Sequence, residues 1–434
     1  MATFTKCGKV IKPWEIRLVK EFWQIFESSD GTFTMFNAYY DDREFYKTSN
    51  QSVVKIMAMV NRVNPTVKLH SQLWFDGLEE PVISEDCKFH VSWPRKWGAN
   101  RKGSEPVFII CQNPLAPYNL VPSSISVLES QCDIATNNLK VIDNSQKFYE
   151  KKNFGVCARL YHYEHFNDTL KLVEWIEHVL ILGADKIIFH IIDVHPKILK
   201  VLKFYQVQEK VKIERMTIPD ELLKENIHSR NVYARMQTVQ NQMIALNDCL
   251  YKYMYDFNFL VPLDIDELIV PSRNEDKTWG DILDRVIVKG RKMKPSYTAV
   301  GAFFLTNNNH QNEIQKNIPS NFFFLQKIYR SENFLKPNNA PKSFQNTAEV
   351  EVMLNHFPMN CLRFKVCPEY HLQLHDAKLH HYKDGCPRYL PENCNDWKNN
   401  TVRDETLWKY KDEIIENVNG AIKAIKTFHL DGML

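Results

Sequence analysis

The residues best suited to chemistry in this chain are the carboxylates of Asp264-Ile265-Asp266-Glu267, set between Phe259-Leu-Val-Pro-Leu263 and Leu268-Ile-Val-Pro271. Alternate side chains of a strand point the same way, so Asp264 and Asp266 at a strand end could share one divalent cation. Hard oxygen ligands favour Mg²⁺ or Mn²⁺, ions that commonly bridge phosphate oxygens as well. Short acidic patterns also arise by chance; the apolar runs on both sides give this one its weight. Neither GxGxxG nor GxxxxGK[ST] occurs, so any bound phosphates would be held by a cation rather than by a glycine-rich loop. A further ligand would come from His356, after Val350-Glu-Val-Met-Leu354, or from His381 in His380-His381-Tyr382-Lys383. A neutral imidazole is a common metal ligand, although a lone histidine more often only hydrogen-bonds. Lys342, in Pro341-Lys-Ser343, is either a diphosphate counter-charge or an ordinary exposed lysine.

These residues need a scaffold, and the hydrophobic pattern predicts one. Val156-Cys-Ala-Arg-Leu160 reads as a buried strand, followed by a helix capped by Asn167 or Asp168 and stopped by Gly183. Lys186-Ile-Ile-Phe-His-Ile-Ile192 is a second strand, Pro196 opens a second helix and Val211-Lys-Ile213 is a third strand. The alternation predicts a doubly wound α/β unit with a mostly parallel sheet. A longer helix over about 231–253 leads into the acidic cluster, which then lies where open α/β sheets bind ligands. Pro262 lacks a ladder donor, so a bulge that re-aims Asp264 is expected there.

Upstream, residues 31–148 form short runs divided by Pro, Asn and Gly and read as a β-rich, sandwich-like module. Residues 1–30 read as a helical arm, with Trp14, Leu18, Phe22 and Phe26 at helical spacing. The remainder, 149–434, is the α/β domain with a C-terminal helix.

The chain has 434 residues, with 55 Lys and Arg against 52 Asp and Glu for a net charge of +3. This balance excludes a nucleic-acid binder that works by bulk charge, and an acidic disordered chain. No run of about 18 apolar residues predicts a membrane span, and charges interrupt the N-terminal apolar runs, so no signal peptide is expected. None of the ten cysteines forms a CxxC. Cys361, Cys367, Cys386 and Cys394 are expected in two disulfides, whereas Cys157 and Cys249 read as buried thiols. Sequons at Asn50, Asn167 and Asn399 lean weakly towards a secretory compartment.

Several motifs occur in a fixed order: Tyr39-Tyr-Asp-Asp-Arg43, Leu172-Val-Glu-Trp-Ile-Glu-His178, Gln242-Met-Ile-Ala-Leu-Asn-Asp-Cys-Leu250, Asp264-Ile-Asp-Glu267, Pro341-Lys-Ser343 and His381-Tyr-Lys383. Together they resemble glycosyltransferase family 92, formerly domain of unknown function 23, over about 36–390. The resemblance implies a GT-A fold, a UDP-galactose donor, Mn²⁺ dependence, inverting transfer to a glycan or glycoprotein acceptor, and a Golgi, membrane-associated setting. It implies metal roles for Asp264, Asp266 and His381, with Lys342 as the basic residue. It also implies a nucleoside contact at Asp193 and a donor-site place for Asp248, which reads equally as a helix-packing hydrogen-bonder. The family's basic-aliphatic run after Lys342 is replaced by Phe344-Gln-Asn-Thr347. Glu313, the nearest carboxylate after Val300-Gly-Ala-Phe-Phe-Leu-Thr306, is the candidate base. Two other classes compete: a sugar-binding module without catalysis, and a metal-dependent phosphohydrolase whose second acidic cluster would be Asp220-Glu221.

Overall fold

Two sheets, built by different pairing rules, divide the chain. The computed structural model describes residues 7–17, 22–99, 103–146, 150–160, 168–219, 232–287, 292–310, 312–386 and 394–428. Leu18, Asn167 and Asp220-Glu221 lie outside these residues.

The first sheet comprises β1 (Gln24–Ser28), β2 (Gly31–Asp41), β3 (Val53–Val60), β4 (Leu69–Trp74), β5 (Val82–Val91), β6 (Glu105–Gln112), β7 (Ser124–Leu128) and β8 (Leu139–Ile142). Their order is β1-β2-β3-β6-β5-β4-β7-β8, and β2 also pairs with β8, which closes a barrel instead of the expected sandwich. A register shift between Met35 and Ala38 lets β2 serve both neighbours: its first half pairs with β1, and Ala38 and Tyr39 pair with β8. Phe33, Ile56, Leu73, Ile109 and Ile125 fill the interior. The expected N-terminal helix is replaced by a single turn at Pro13–Glu15 and by β1. The free edge of β2 outcompetes helix formation, placing Phe26 opposite Phe33 and leaving Trp14 exposed.

The second sheet follows the α/β expectation. Its strands β9 (Lys152–Leu160), β10 (Lys186–Ile191), β11 (Val211–Arg215) and β12 (Phe257–Pro262) pair in parallel in the order β11-β10-β9-β12. Helix Thr169–Ile181 starts where the Asp168 carboxylate accepts the Lys171 amide, and Gly183, at φ +110, follows its end. Pro196 opens helix Pro196–Val207 at its first position. After β12 come β13 (Glu267–Pro271), β14 (Ser296–Ala299), β15 (Gly301–Leu305), β16 (Tyr329–Ser331), β17 (Lys342–Asn346), β18 (Val350–Met353), β19 (Pro358–Cys361), β20 (Glu369–His371) and β21 (Ala377–Lys383). Strand β17 pairs antiparallel to β12, and β13 pairs antiparallel to β21. The C-terminal helix Lys411–Thr427 buries Ile414, Val418 and Ile425 in the core beneath helix Thr169–Ile181.

Helix Val232–Tyr253 bonds the two sheets. Met243, Leu246 and Leu250 share one apolar cluster with Tyr39, Met57 and Phe108 of the barrel and Leu260 of β12. Within it Cys157 of β9 and Cys249 of the helix form a disulfide, so the expected buried thiols are not thiols. Side chains from the covered face of a sheet and from the helix above it meet in one layer, which is what brings two residues 92 apart together. The late four cysteines form two disulfides as expected, and the structure pairs them as Cys361–Cys367 and Cys386–Cys394; Cys7–Cys132 and Cys87–Cys111 complete the set.

A charged rivet supplements this apolar joint. Fully buried Asp41 accepts Arg43 at 2.7 Å and Lys55 at 3.2 Å, and Lys55 reaches Glu351 at 2.8 Å. Arg43 also donates to the carbonyls of Thr347 and Val350, at 2.8 and 2.6 Å. Burial alone would raise the Asp41 carboxyl; Arg43 and Lys55 reverse this and hold it well below the usual carboxylate range. A depressed carboxylate contributes stability above its unfolded pKa of about 3.9, and that stability is lost as pH falls through the folded value. Asp41→Asn is therefore expected to cost about 3–5 kcal/mol at neutral pH, because it takes the buried counter-charge from Arg43 and leaves Lys55 with Glu351. Thermal melts from about pH 7 to about pH 3 should show a lower Tm and a shallower acid decline than the unsubstituted chain.

Candidate functional site

The site grows from the turn that joins β12 to β13. Pro262 is the last residue of β12, its parallel pairing with Cys157 shows no register shift, and the Leu263 amide donates to the Cys157 carbonyl at 3.2 Å. No bulge forms, since the missing donor falls at the strand's end. The backbone then turns: the Glu267 amide donates to the Asp264 carbonyl and the Asp264 amide to Glu267 Oε2, each at 3.0 Å. Residues 264–266 thus leave the strand, and strand alternation no longer governs where their side chains point.

Asp266 is instead grouped with Glu267 and with His381, which β21 presents directly opposite Glu267. One ligand atom from each of Asp266, Glu267 and His381 lies within 4.8 Å of the others. His381 Nε2 stands 3.7 Å from Asp266 Oδ2 and its Nδ1 3.6 Å from Glu267 Oε1, both beyond hydrogen-bond length. The buried Nδ1 has no hydrogen-bond partner among the described residues. Imidazole and carboxylates held close but unbonded are what a shared cation would draw together.

Three cations face the three acids. Lys342, at the start of β17, has a side chain with 0% exposure, so it is not an ordinary surface lysine. Its Nζ lies 2.6 Å from Glu267 Oε2, 2.7 Å from Asn355 Oδ1 and 3.2 Å from Asp264 Oδ2. Arg159, at the end of β9, binds Asp264 Oδ1 at 2.7 Å and Gln242 at 2.8 Å. Lys383 binds Asp266 Oδ2 at 2.8 Å. Both Asp264 oxygens are therefore engaged by cations, with a lone pair to spare, and the side chain is 36% exposed.

Burial would raise Asp264, but Lys342 and Arg159 hold it well below the carboxylate range. Asp266 is also lowered against burial, by His381 and Lys383. Glu267 moves the other way: burial, aided by Asp264 and Asp266, raises it despite Lys342. Lys383 is lowered by burial but pushed up to about 12 overall by Asp266.

The other expected site residues lie apart. His356 donates Nδ1–H to the Pro341 carbonyl at 2.9 Å; burial and Lys342 lower it to about 3, so it stays neutral beside Asn355 without joining the ligand group. Asp248 is buried and takes up Asn37 at 2.9 Å, His190 at 2.8 Å, Lys252 at 2.9 Å and the Tyr39 hydroxyl. These contacts tie the helix to the barrel and to β10, and they account for its polar capacity by packing. Asp193 is exposed in the turn after β10. Glu313 is exposed on the loop after β15, 2.5 Å from His310 Nδ1, and hydrogen bonds from His310 and Tyr329 lower its carboxyl. That loop begins at Thr306, whose amide donates to the Lys383 carbonyl at 2.8 Å. The Phe344-Gln-Asn-Thr347 segment turns inward: Phe344 packs 5.6 Å from Phe154 and Gln345 donates to the Leu354 carbonyl at 2.9 Å.

Sequence reasoning passed over Glu267, Arg159, Lys383 and Asn355 as site members. Arg159 carried a signal, a lone charge within an apolar strand. Lys383 and Glu267 stood inside quoted motifs. Asn355 carried none.

The family model described as Glycosyltransferase family 92 matches residues 152–418, a span that contains every residue of this site. No curated protein matches the chain.

Lys342→Met should leave Glu267 and Asp264 with one cation fewer in a buried setting, at a cost of about 3–5 kcal/mol. Denaturant unfolding should show a lower midpoint with an unchanged slope. A midpoint equal to that of the unsubstituted chain would show that the lysine is not the counter-charge described.

Proposed function

The chain belongs to glycosyltransferase family 92, and from that membership we propose that it transfers a hexose, galactose from UDP-galactose, to a glycan or glycoprotein acceptor with inversion at the anomeric carbon. The observation that carries the reading is the Asp266, Glu267 and His381 group just past the carboxyl end of β12. Its mixed oxygen and nitrogen donors, with an unpartnered Nδ1, fit Mn²⁺ better than Mg²⁺, which prefers oxygen alone. When bound there, the ion would supply positive charge against the leaving diphosphate.

The charge arrangement supports this. Asp264, Asp266 and Glu267 are matched by Arg159, Lys342 and Lys383, so the protein alone is close to neutral at the site. An added divalent charge would not be consumed by excess carboxylates and would be left over for phosphate. Asp193 follows β10, a strand parallel to the β9–β12 pair, so it lies towards the same carboxyl edge and is our choice for the nucleoside contact. Glu313 is the proposed base. It takes the acceptor hydroxyl proton as the new C–O bond forms on one face of the anomeric carbon and the bond to diphosphate breaks on the other. Pairing of all ten cysteines in five disulfides supports an oxidising compartment, and we assign the Golgi or secretory lumen on that basis. Among the described residues no helix is long and apolar enough to cross a membrane.

UDP release over a panel of UDP-sugars, with an oligosaccharide acceptor and with or without EDTA, tests the reading. UDP-galactose with Mn²⁺ should turn over fastest, EDTA should abolish release, and Asp266→Ala should reduce it at least about 100-fold, the scale of losing one electrostatic stabiliser. The product should carry the inverted anomer by NMR. EDTA-insensitive transfer or a retained anomer would refute the mechanism. Sugar binding without UDP release would favour a non-catalytic module.

A further inference from the structure

The barrel, outside the matched span, carries a polar strip that the transfer reaction does not use. Strand alternation puts His70, Gln72 and Trp74 of β4 on the face opposite Leu69 and Leu73, which fill the barrel core. Their neighbours across β7 are Leu128, Ser126 and Ser124. Gln72 is fully buried and Trp74 is 6% exposed. Even so, His70 Nδ1, Gln72 Oε1 and Trp74 Nε1 are all buried without a hydrogen-bond partner among the described residues.

At its Trp74 end the strip meets a cavity of about 520 Å³, whose lining includes Trp14, Trp74, Asp76, Leu78, Glu79 and Ser124. That volume falls in the range of small-ligand pockets, roughly 300–1,000 Å³. Trp14 is 75% exposed and Leu78 45% exposed, so large apolar surface faces solvent beside carboxylates and hydroxyls. The Lys12 ammonium lies 5.3 Å from the Trp14 ring centre, and one lysine beside Asp76 and Glu79 leaves no positive excess for an anionic ligand. Gly77, at φ +84, has open space where a side chain would project.

We infer that this cleft is a second, non-catalytic site that binds a neutral oligosaccharide. A pyranose presents an apolar C–H face that suits an indole ring, and a rim of hydroxyls that both donate and accept. Asp76 and Glu79 accept from hydroxyls, and Ser124 does either. A phosphate or acidic sugar would meet the two carboxylates and be repelled.

The test uses the full chain in EDTA without nucleotide sugar, so the outcome is independent of the transferase reading. Calorimetry and saturation-transfer NMR are run with lactose, chitotriose and mannotriose, and with sialyllactose and a neutral peptide as controls. At least one neutral saccharide should bind, Trp14→Ala should weaken it at least about tenfold, and Glu79→Gln should weaken it less. Trp14 is exposed, so its variant should keep the original Tm, and Asp266→Ala should retain the saccharide affinity. Absence of saccharide binding at about 10 mM, unchanged affinity in Trp14→Ala, or binding of the peptide or sialyllactose in preference would each overturn the assignment.

Discussion

A lysine ammonium with no exposed side-chain surface holds the site together. Burying a charge is costly unless it is paired, and Lys342 is tolerated because Glu267, Asp264 and Asn355 converge on it. Topology makes this possible. Strand β17 runs antiparallel to β12, with Phe259 opposite Asn346 and Leu260 opposite Gln345, so the first residue of β17 arrives where β12 ends. The turn after Pro262 delivers the carboxylates to the same place, and β21 delivers His381. Removing the ammonium would leave like charges facing one another. The placement of Glu267 and Asp264 beside the Asp266 and His381 side chains depends on this one insertion.

The α/β core was legible in the sequence because its signals are local. The apolar run of β10, the Asp168 cap, Gly183 and Pro196 each act within a few residues, and the structure places its elements accordingly. What sequence could not show was pairing between distant segments. The β2–β8 contact that closes the barrel joins residues about 100 apart, and it needs the register shift at Met35–Ala38. Cys157 and Cys249 looked like thiols because each lies in an apolar element, and only packing of the helix on the sheet puts them face to face. At the N-terminus, helical spacing lost to the open edge of β2.

At the site, residue types were legible and directions were not. The acidic motif, Lys342 and His381 were all identifiable, yet the expectation that Asp264 and Asp266 act together rested on strand alternation. The chain leaves the strand at that point, so Asp264 faces Arg159 and Lys342 while Glu267 takes its place beside Asp266. Asp248 illustrates the converse. Its motif position suggested the donor site while its residue type read equally as a helix-packing hydrogen-bonder, and its surroundings are a set of hydrogen bonds joining the helix, the barrel and β10.

Asp266, Glu267 and His381 are proposed as one divalent-cation site, with Asp264 as a partner of buried cations. Electron paramagnetic resonance titration of Mn²⁺ tests it without reference to sugar or catalysis. One saturable site is expected in the unsubstituted chain, lost in His381→Ala, and still present in Asp264→Asn provided that variant remains folded. Undiminished Mn²⁺ binding in His381→Ala, together with loss in folded Asp264→Asn, would contradict it.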